Sequence, residues 1–197
     1  MNTIGRPPAP RRRRAAPRTV TAVLVIGTGA LLGRLGMNAL AADGPGDARW
    51  YDLVPPASFQ GLTLQESGPR VDAVREDPGL REPGTEPVAA VYADQEGTAR
   101  LVVSGVAGAF ADRDPGAELA KAVRAMGVDG AVAQRPGTPA GGAMSCGTRA
   151  AGVLCVWADH SSLVTVTVPV GSGPVTIGAL AERTRALRTA MEVPAWS

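Results

Sequence analysis

Slid along itself by 65 residues, this chain meets its own likeness: Val88-Ala89-Ala90-Val91-Tyr92-Ala93-Asp94 falls on Val153-Leu154-Cys155-Val156-Trp157-Ala158-Asp159. The same offset, without a gap, pairs Leu101 with Val166, Val103 with Val168, Ala125 with Ala190, Met126 with Met191 and Val128 with Val193. Such self-similarity constrains the fold more than any single motif, because each copy must solve the same local packing problem. In both copies a β-rich run ends at an Asp, a turn former whose side chain can bond the backbone two residues on. A second run then alternates. Ala99, Leu101 and Val103 share one face in the first copy; Val164, Val166, Val168 and Val170 do so in the second, opposite Thr165 and Thr167.

Helical stripes follow each pair of strands: Leu119, Val123 and Met126 in the first copy, and Ile177, Leu180, Thr184, Leu187 and Met191 in the second. Pro115 and Pro174 stand where a first helical turn tolerates them. The expected architecture is therefore α+β: two ββα repeats forming an antiparallel sheet with two helices on one face. A fifth strand is expected at Ala143 to Cys146, running antiparallel into Val153 to Trp157. Seven aromatic residues and 42 Gly or Pro among 197 residues leave few large side chains for a core, so the domain is expected to be small and rich in loops.

The sequence ahead of the repeat divides by charge. Residues 1–19 carry Arg6, Arg11, Arg12, Arg13, Arg14 and Arg18 and no acid, whereas residues 43–197 hold 13 basic and 18 acidic residues. A net acidic domain has no electrostatic reason to hold nucleic acid, so no nucleic-acid partner is expected. Arginines ahead of the uncharged run Val20 to Gly33 instead give the positive-inside pattern, with residues 1–19 in the cytoplasm and the remainder outside. Residues 20–42 are read as a single transmembrane anchor or signal helix. As a helix they extend roughly 35 Å, enough to cross a bilayer, with Arg34 snorkelling to the headgroups. Cleavage at Ala39-Leu40-Ala41, which would release the protein, is the alternative. Residues 43–87 are expected as a spacer and a Pro/Gly-rich acidic loop, with a strand at 59–64 and at most one helical turn around Val71 to Arg75. Residues 88–197 then form the extracytoplasmic α+β domain.

Cys146 and Cys155 bracket eight residues. An even cysteine count in an exported domain predicts a disulfide, here closing a hairpin. The pair lacks the C-x-x-C spacing at a helix start that redox chemistry uses, and two Cys with one His do not complete a structural zinc site. Hence no metal and no cofactor is expected. Asp159-His160-Ser161-Ser162 contains every residue type of a hydrolytic triad, but consecutive residues in a turn point in different directions, and the matching Asp94-Gln95-Glu96-Gly97 is a plain polar turn. No catalytic residue is assigned. Gly137 to Gly142 and Gly105 to Gly108 lack the flanking residues of phosphate-binding loops and are read as ordinary loops. Tyr92 and Trp157, at matching places, are expected as paired core or rim aromatics and not as a ligand platform.

Of the 20 basic residues only Lys121 is lysine, which with the Ala, Gly and Pro richness reads as a GC-rich, actinobacterial genome. The segment Cys146…Cys155-Val156-Trp157-Ala158-Asp159-His160, with the Ala90-Val91-Tyr92 strand and the Ala181 to Met191 helix, resembles a set of uncharacterised actinobacterial membrane-anchored exported proteins with an Arg-rich head and a closing CG…C-x-W-A-D segment. The resemblance spans roughly residues 53–192. It implies an anchored extracytoplasmic domain with a structural disulfide, and it carries no activity across. The expected function is a membrane-tethered, non-enzymatic module that binds an envelope protein or cell-wall component, or serves structurally; the alternative is a secreted or surface-exposed hydrolase.

Overall fold

Antiparallel pairing organises the described part of the chain. The computed structural model describes residues 51–81, 83–108, 113–137 and 141–195, all of which fall in one compact unit. The Arg-rich tail and the apolar run 20–42 lie outside the described residues. Among the described residues no helix is long and apolar enough to cross a membrane.

Among the described residues there are ten strands: β1 (Tyr51–Leu53), β2 (Ser58–Phe59), β3 (Leu62–Gln65), β4 (Thr85–Ala93), β5 (Ala99–Gly108), β6 (Asp129–Gln134), β7 (Ala143–Arg149), β8 (Gly152–Ala158), β9 (Ser162–Pro169) and β10 (Glu192–Pro194). The described residues also form three α-helices, α1 (Pro69–Arg75), α2 (Pro115–Ala125) and α3 (Ile177–Met191), with a 3-10 turn at Pro78–Leu80. Eight strands form one sheet in the order β2-β3-β4-β5-β9-β8-β7-β6, and β1 pairs with β10 in a separate ribbon. Every pairing is antiparallel.

The 65-residue offset reappears in the centre of the sheet. β4-β5 and β8-β9 are hairpins, and they meet through β5 and β9, where Val102 pairs with Thr167, its own counterpart at that offset. Within the hairpins the registers differ by two residues: Val91 pairs with Val102, whereas Val156 pairs with Thr165. An even shift keeps every side chain on its original face. Leu101, Val103, Val166 and Val168 therefore all join one core, together with Tyr92, Trp157, Cys146 and Cys155.

The helices depart from the expected arrangement. Leu180, Leu187 and Met191 of α3 cover the face that carries Cys155 and Trp157, while Leu119 and Val123 of α2, with Met126 at its C-cap, cover the face that carries Leu154, Val156 and Ala158. Because successive side chains of a strand point to opposite faces, α2 and α3 lie on opposite sides of the sheet and not together on one. The cause is visible in β8 itself: Val153 to Ala158 is apolar at every position, the pattern of a strand buried on both faces. The cap residues are those expected of helix starts. Asp114 Oδ1 accepts from the Ala117 N–H at 2.8 Å, and Thr176 Oγ1 accepts from the Ala179 N–H at 3.1 Å. Pro115 occupies the first turn of α2, but Pro174 precedes the Thr176 cap and lies outside α3.

Among the described residues of the segment 43–87, strands and a helix stand where a loop is expected. Phe59 and Leu62 are joined by Gln60 and Gly61, both at positive φ (50° and 78°), as in a two-residue hairpin turn. Their side chains pack into the main core, with the Phe59 ring 6.2 Å from Tyr92. α1 has seven residues where one turn was expected, and it buries Val71. Gly105 and Gly108 lie inside β5 and not in a loop. A Cβ on Gly105 would stand 2.4 Å from the Leu163 carbonyl oxygen, so the β5–β9 contact requires glycine there. Val170, expected on the buried face of β9, falls beyond the strand end and is exposed.

Candidate functional site

The region richest in buried chemistry gathers where the β8–β9 turn, the last turn of α3 and the first residue of β10 meet. Asp159 follows β8 and is buried. Its Oδ1 accepts from the Ser161 N–H at 2.8 Å and the Ser161 hydroxyl at 2.9 Å, and its Oδ2 accepts from the Ser162 hydroxyl at 2.9 Å. Ser162 Oγ in turn accepts from the Trp157 indole N–H at 3.0 Å. The local part of this network is an Asx turn, the conformation that Asp favours between two strands.

Arg188 brings the long-range part. Its guanidinium donates through Nη2 to Asp159 Oδ2 at 2.9 Å, through Nε to Glu192 Oε1 at 2.5 Å, and through Nη1 to the carbonyls of Gly141 and Pro136 at 2.7 and 3.2 Å. The side chains of Arg188, Asp159 and Glu192 are 0%, 2% and 0% exposed. One guanidinium thus faces two carboxylates out of water. Glu192 Oε2, Thr184 Oγ1 and His160 Nδ1 are buried and have no hydrogen-bond partner. Burial, reinforced by the nearby Asp159 carboxylate and opposed by Arg188, pushes the Glu192 carboxyl up to about 7.

This geometry settles how the Asp159-His160-Ser161-Ser162 segment is arranged. Both serine hydroxyls point to Asp159, and His160 Nδ1 bonds neither, so the segment forms a turn and not an acid–base–nucleophile line. Tyr92 and Trp157, expected in the core or at its rim, are fully buried in the core. Burial raises the Tyr92 phenol to about 12, and its hydroxyl donates to the Pro56 carbonyl at 3.1 Å. Cys146 and Cys155 stand opposite one another on β7 and β8 and form a disulfide inside the same core.

Arg188 and Glu192 escaped the sequence reading, although a signal existed. Arg188 falls between Leu187 and Met191 and four residues after Thr184, so it sits within the apolar stripe of α3. An arginine there must find a buried acid, and Glu192 is one helical turn away.

A second feature is an open cleft of about 540 Å³ between the start of α1 and the ends of β4, β5 and β9. Val71, Val91, Ala93 and Val170 give it apolar walls; Gln65, Ser67, Thr98 and Ser172 supply polar groups, and Arg70 is the ionisable side chain in its lining. Among the described residues no three His, Cys, Asp or Glu side chains gather as a metal would require. No family model, curated protein or solved structure matches the chain.

Proposed function

We propose that this chain is a membrane-tethered extracytoplasmic module that acts by binding an envelope protein or cell-wall component, with residues 20–42 holding it to the membrane. The observation that carries this reading is the Cys146–Cys155 disulfide in the main core, since such a bridge persists in oxidising surroundings and not in a reducing cytoplasm. The arginine-rich segment before the apolar run gives the matching orientation. The 65-residue correspondence at the β5–β9 junction supports an origin by duplication of a ββα unit. Binding is favoured over chemistry because the Asp159 and Glu192 carboxylates face Arg188 inside the protein, out of reach of a substrate. The 540 Å³ cleft offers the mixed apolar and polar walls of a recognition site.

A reporter fused after Ser197, combined with the intact mass of surface-derived protein before and after reduction, tests the compartment. The expected results are activity outside the cytoplasm only and a gain of two hydrogens on reduction. Cytoplasmic reporter activity, or two free thiols, would overturn it. Capture of envelope components by the full chain, and its loss when the exposed cleft residues Arg70 and Val170 are replaced by Glu and Asp, tests the cleft.

A further inference from the structure

The buried Arg188 cluster contains more acid than base, and it is attached to the strand that comes first in the described sequence. Glu192 is both the residue that ends α3 and the first residue of β10. Across the ribbon it pairs with Leu53 of β1, while Val193 pairs with Asp52 and Pro194 with Tyr51. The Val54 N–H continues the ladder by donating to the Met191 carbonyl at 2.9 Å. Whatever happens to the Glu192 side chain is therefore felt directly by the strand that leads from residues 43–50 into the domain.

We propose that Glu192 is a proton-binding switch: protonated, it stays inside the Arg188 cluster and keeps the β1–β10 ribbon closed; ionised, it favours an opened ribbon in which its carboxylate reaches water. The geometry gives the reason. Arg188 divides its donors between Glu192 and Asp159, so ionisation of both acids leaves one uncompensated negative charge in a region without solvent. Glu192 Oε2 has no donor to stabilise it as an anion, and a protonated carboxyl removes that deficit.

The groups around it are few. From α3 comes Arg188, from the β8–β9 turn Asp159, and from the β6–β7 connection the carbonyls of Pro136 and Gly141, which hold Arg188 and not Glu192. His160 adjoins Asp159 in the chain and is half-buried. On β1, Asp52 is exposed and alternates away from the Leu53–Glu192 pair. The direction follows from linkage: Glu192 is raised from 4.5 to about 7 in the folded protein. The closed ribbon is therefore favoured most below the ordinary glutamate range and loses that advantage as pH rises toward 7.

The test uses the full chain in detergent. Carbon-13 NMR of the glutamate carboxyls follows Glu192, assigned by its loss in Glu192→Gln, and amide hydrogen exchange follows Asp52, Val54 and Val193, whose N–H groups face across the ribbon. The expected result is a Glu192 midpoint near neutrality and protection factors in the ribbon that fall at least tenfold between about pH 5.5 and 7.5, since one proton changes the opening constant up to tenfold per pH unit. In Glu192→Gln those factors should be nearly flat with pH. A Glu192 midpoint below about 5 would overturn the proposal. So would a wild-type-like pH response in Glu192→Gln, which would assign the effect to another group. The carboxyl titration is read on the wild-type chain, so the proposal stays testable if the variant folds poorly.

Discussion

The two turns that stand 65 residues apart begin with the same residue and end in different roles. Asp94 accepts from the Glu96 and Thr98 N–H groups at 3.1 and 2.9 Å and from Arg100 Nε at 2.6 Å. Asp159 makes the same kind of local turn but takes its arginine from 29 residues away. The first pair is partly solvated, with side-chain exposures of 31% and 21%; the second is sealed. A local turn preference thus acts at two scales: Asp94 closes a hairpin, whereas Asp159 fastens a hairpin to a helix and a terminal strand. The difference arises from α3, which covers the Trp157 face above Asp159.

The largest effect that would test this contrast is at Arg188. Arg188→Met keeps an apolar stem and removes the charge, leaving Asp159 and Glu192 buried without a cation. Breaking a buried pair in this way costs about 3–5 kcal/mol, and urea denaturation should show it as a large fall in midpoint. The corresponding Arg100→Met should move the midpoint far less. Equal shifts would mean that Asp159 is no more important than Asp94. Replacing Arg188, Asp159 and Glu192 together by apolar residues should recover much of the loss, because the cost lies in the stranded charges.

The next effect is pH. With the Glu192 carboxyl raised to about 7 from 4.5, global stability should fall by roughly 3 kcal/mol, at about 1.4 kcal/mol per pKa unit, as pH rises across that interval. Denaturation midpoints measured from pH 4.5 to 8 check this, and a curve that rises over the interval would contradict it. The disulfide follows in size. Its eight-residue spacing closes a short loop, for which the chain-entropy estimate is about 2–3 kcal/mol. Replacing Cys146 and Cys155 by Ala should lower stability by that amount in non-reducing buffer. It should leave Arg188→Met as destabilising as before if staple and cluster act independently.

Strand content was legible because hairpins announce themselves. The offset pairs, the alternation of Val164, Val166 and Val168, and the cysteine spacing all concern residues near one another in sequence, and the structure places them as β7, β8, β9 and their counterparts. What the reading missed is mostly non-local. The side of the sheet chosen by α2 depends on which face of β8 remains uncovered, although the unbroken apolar run Val153 to Ala158 did signal two covered faces. β6, with Asp129 to Ala133 exposed, carries no hydrophobic pattern to find. β1 and β10 have three residues each, too short for periodicity, and they exist because the ends of the domain meet. The Arg188 cluster joins positions 136, 141, 159, 188 and 192, a contact set that no local window contains, so the sequence revealed only the odd arginine in an apolar stripe.

The smallest effect tests the solvated member of the comparison. The Arg100 hydrogen bond holds the Asp94 carboxyl below its ordinary range, so its contribution is present above the unfolded aspartate value and disappears as pH falls through the lower, folded one. That sign is opposite to the one at Glu192: acid weakens the first turn while it strengthens the ribbon. Water and salt screen Asp94 and Arg100, so Asp94→Ala should shift the urea midpoint only slightly, and 0.5 M salt, roughly a 4 Å screening length, should reduce even that shift. Asp159 is shielded from ions, and the penalty of Asp159→Ala should be nearly unchanged by the same salt. Midpoints for the two variants at low and high salt decide the matter. If salt relieves both penalties equally, the Asp159 site is wetter than its buried side chains indicate, and the distinction between a surface turn and a buried fastening fails.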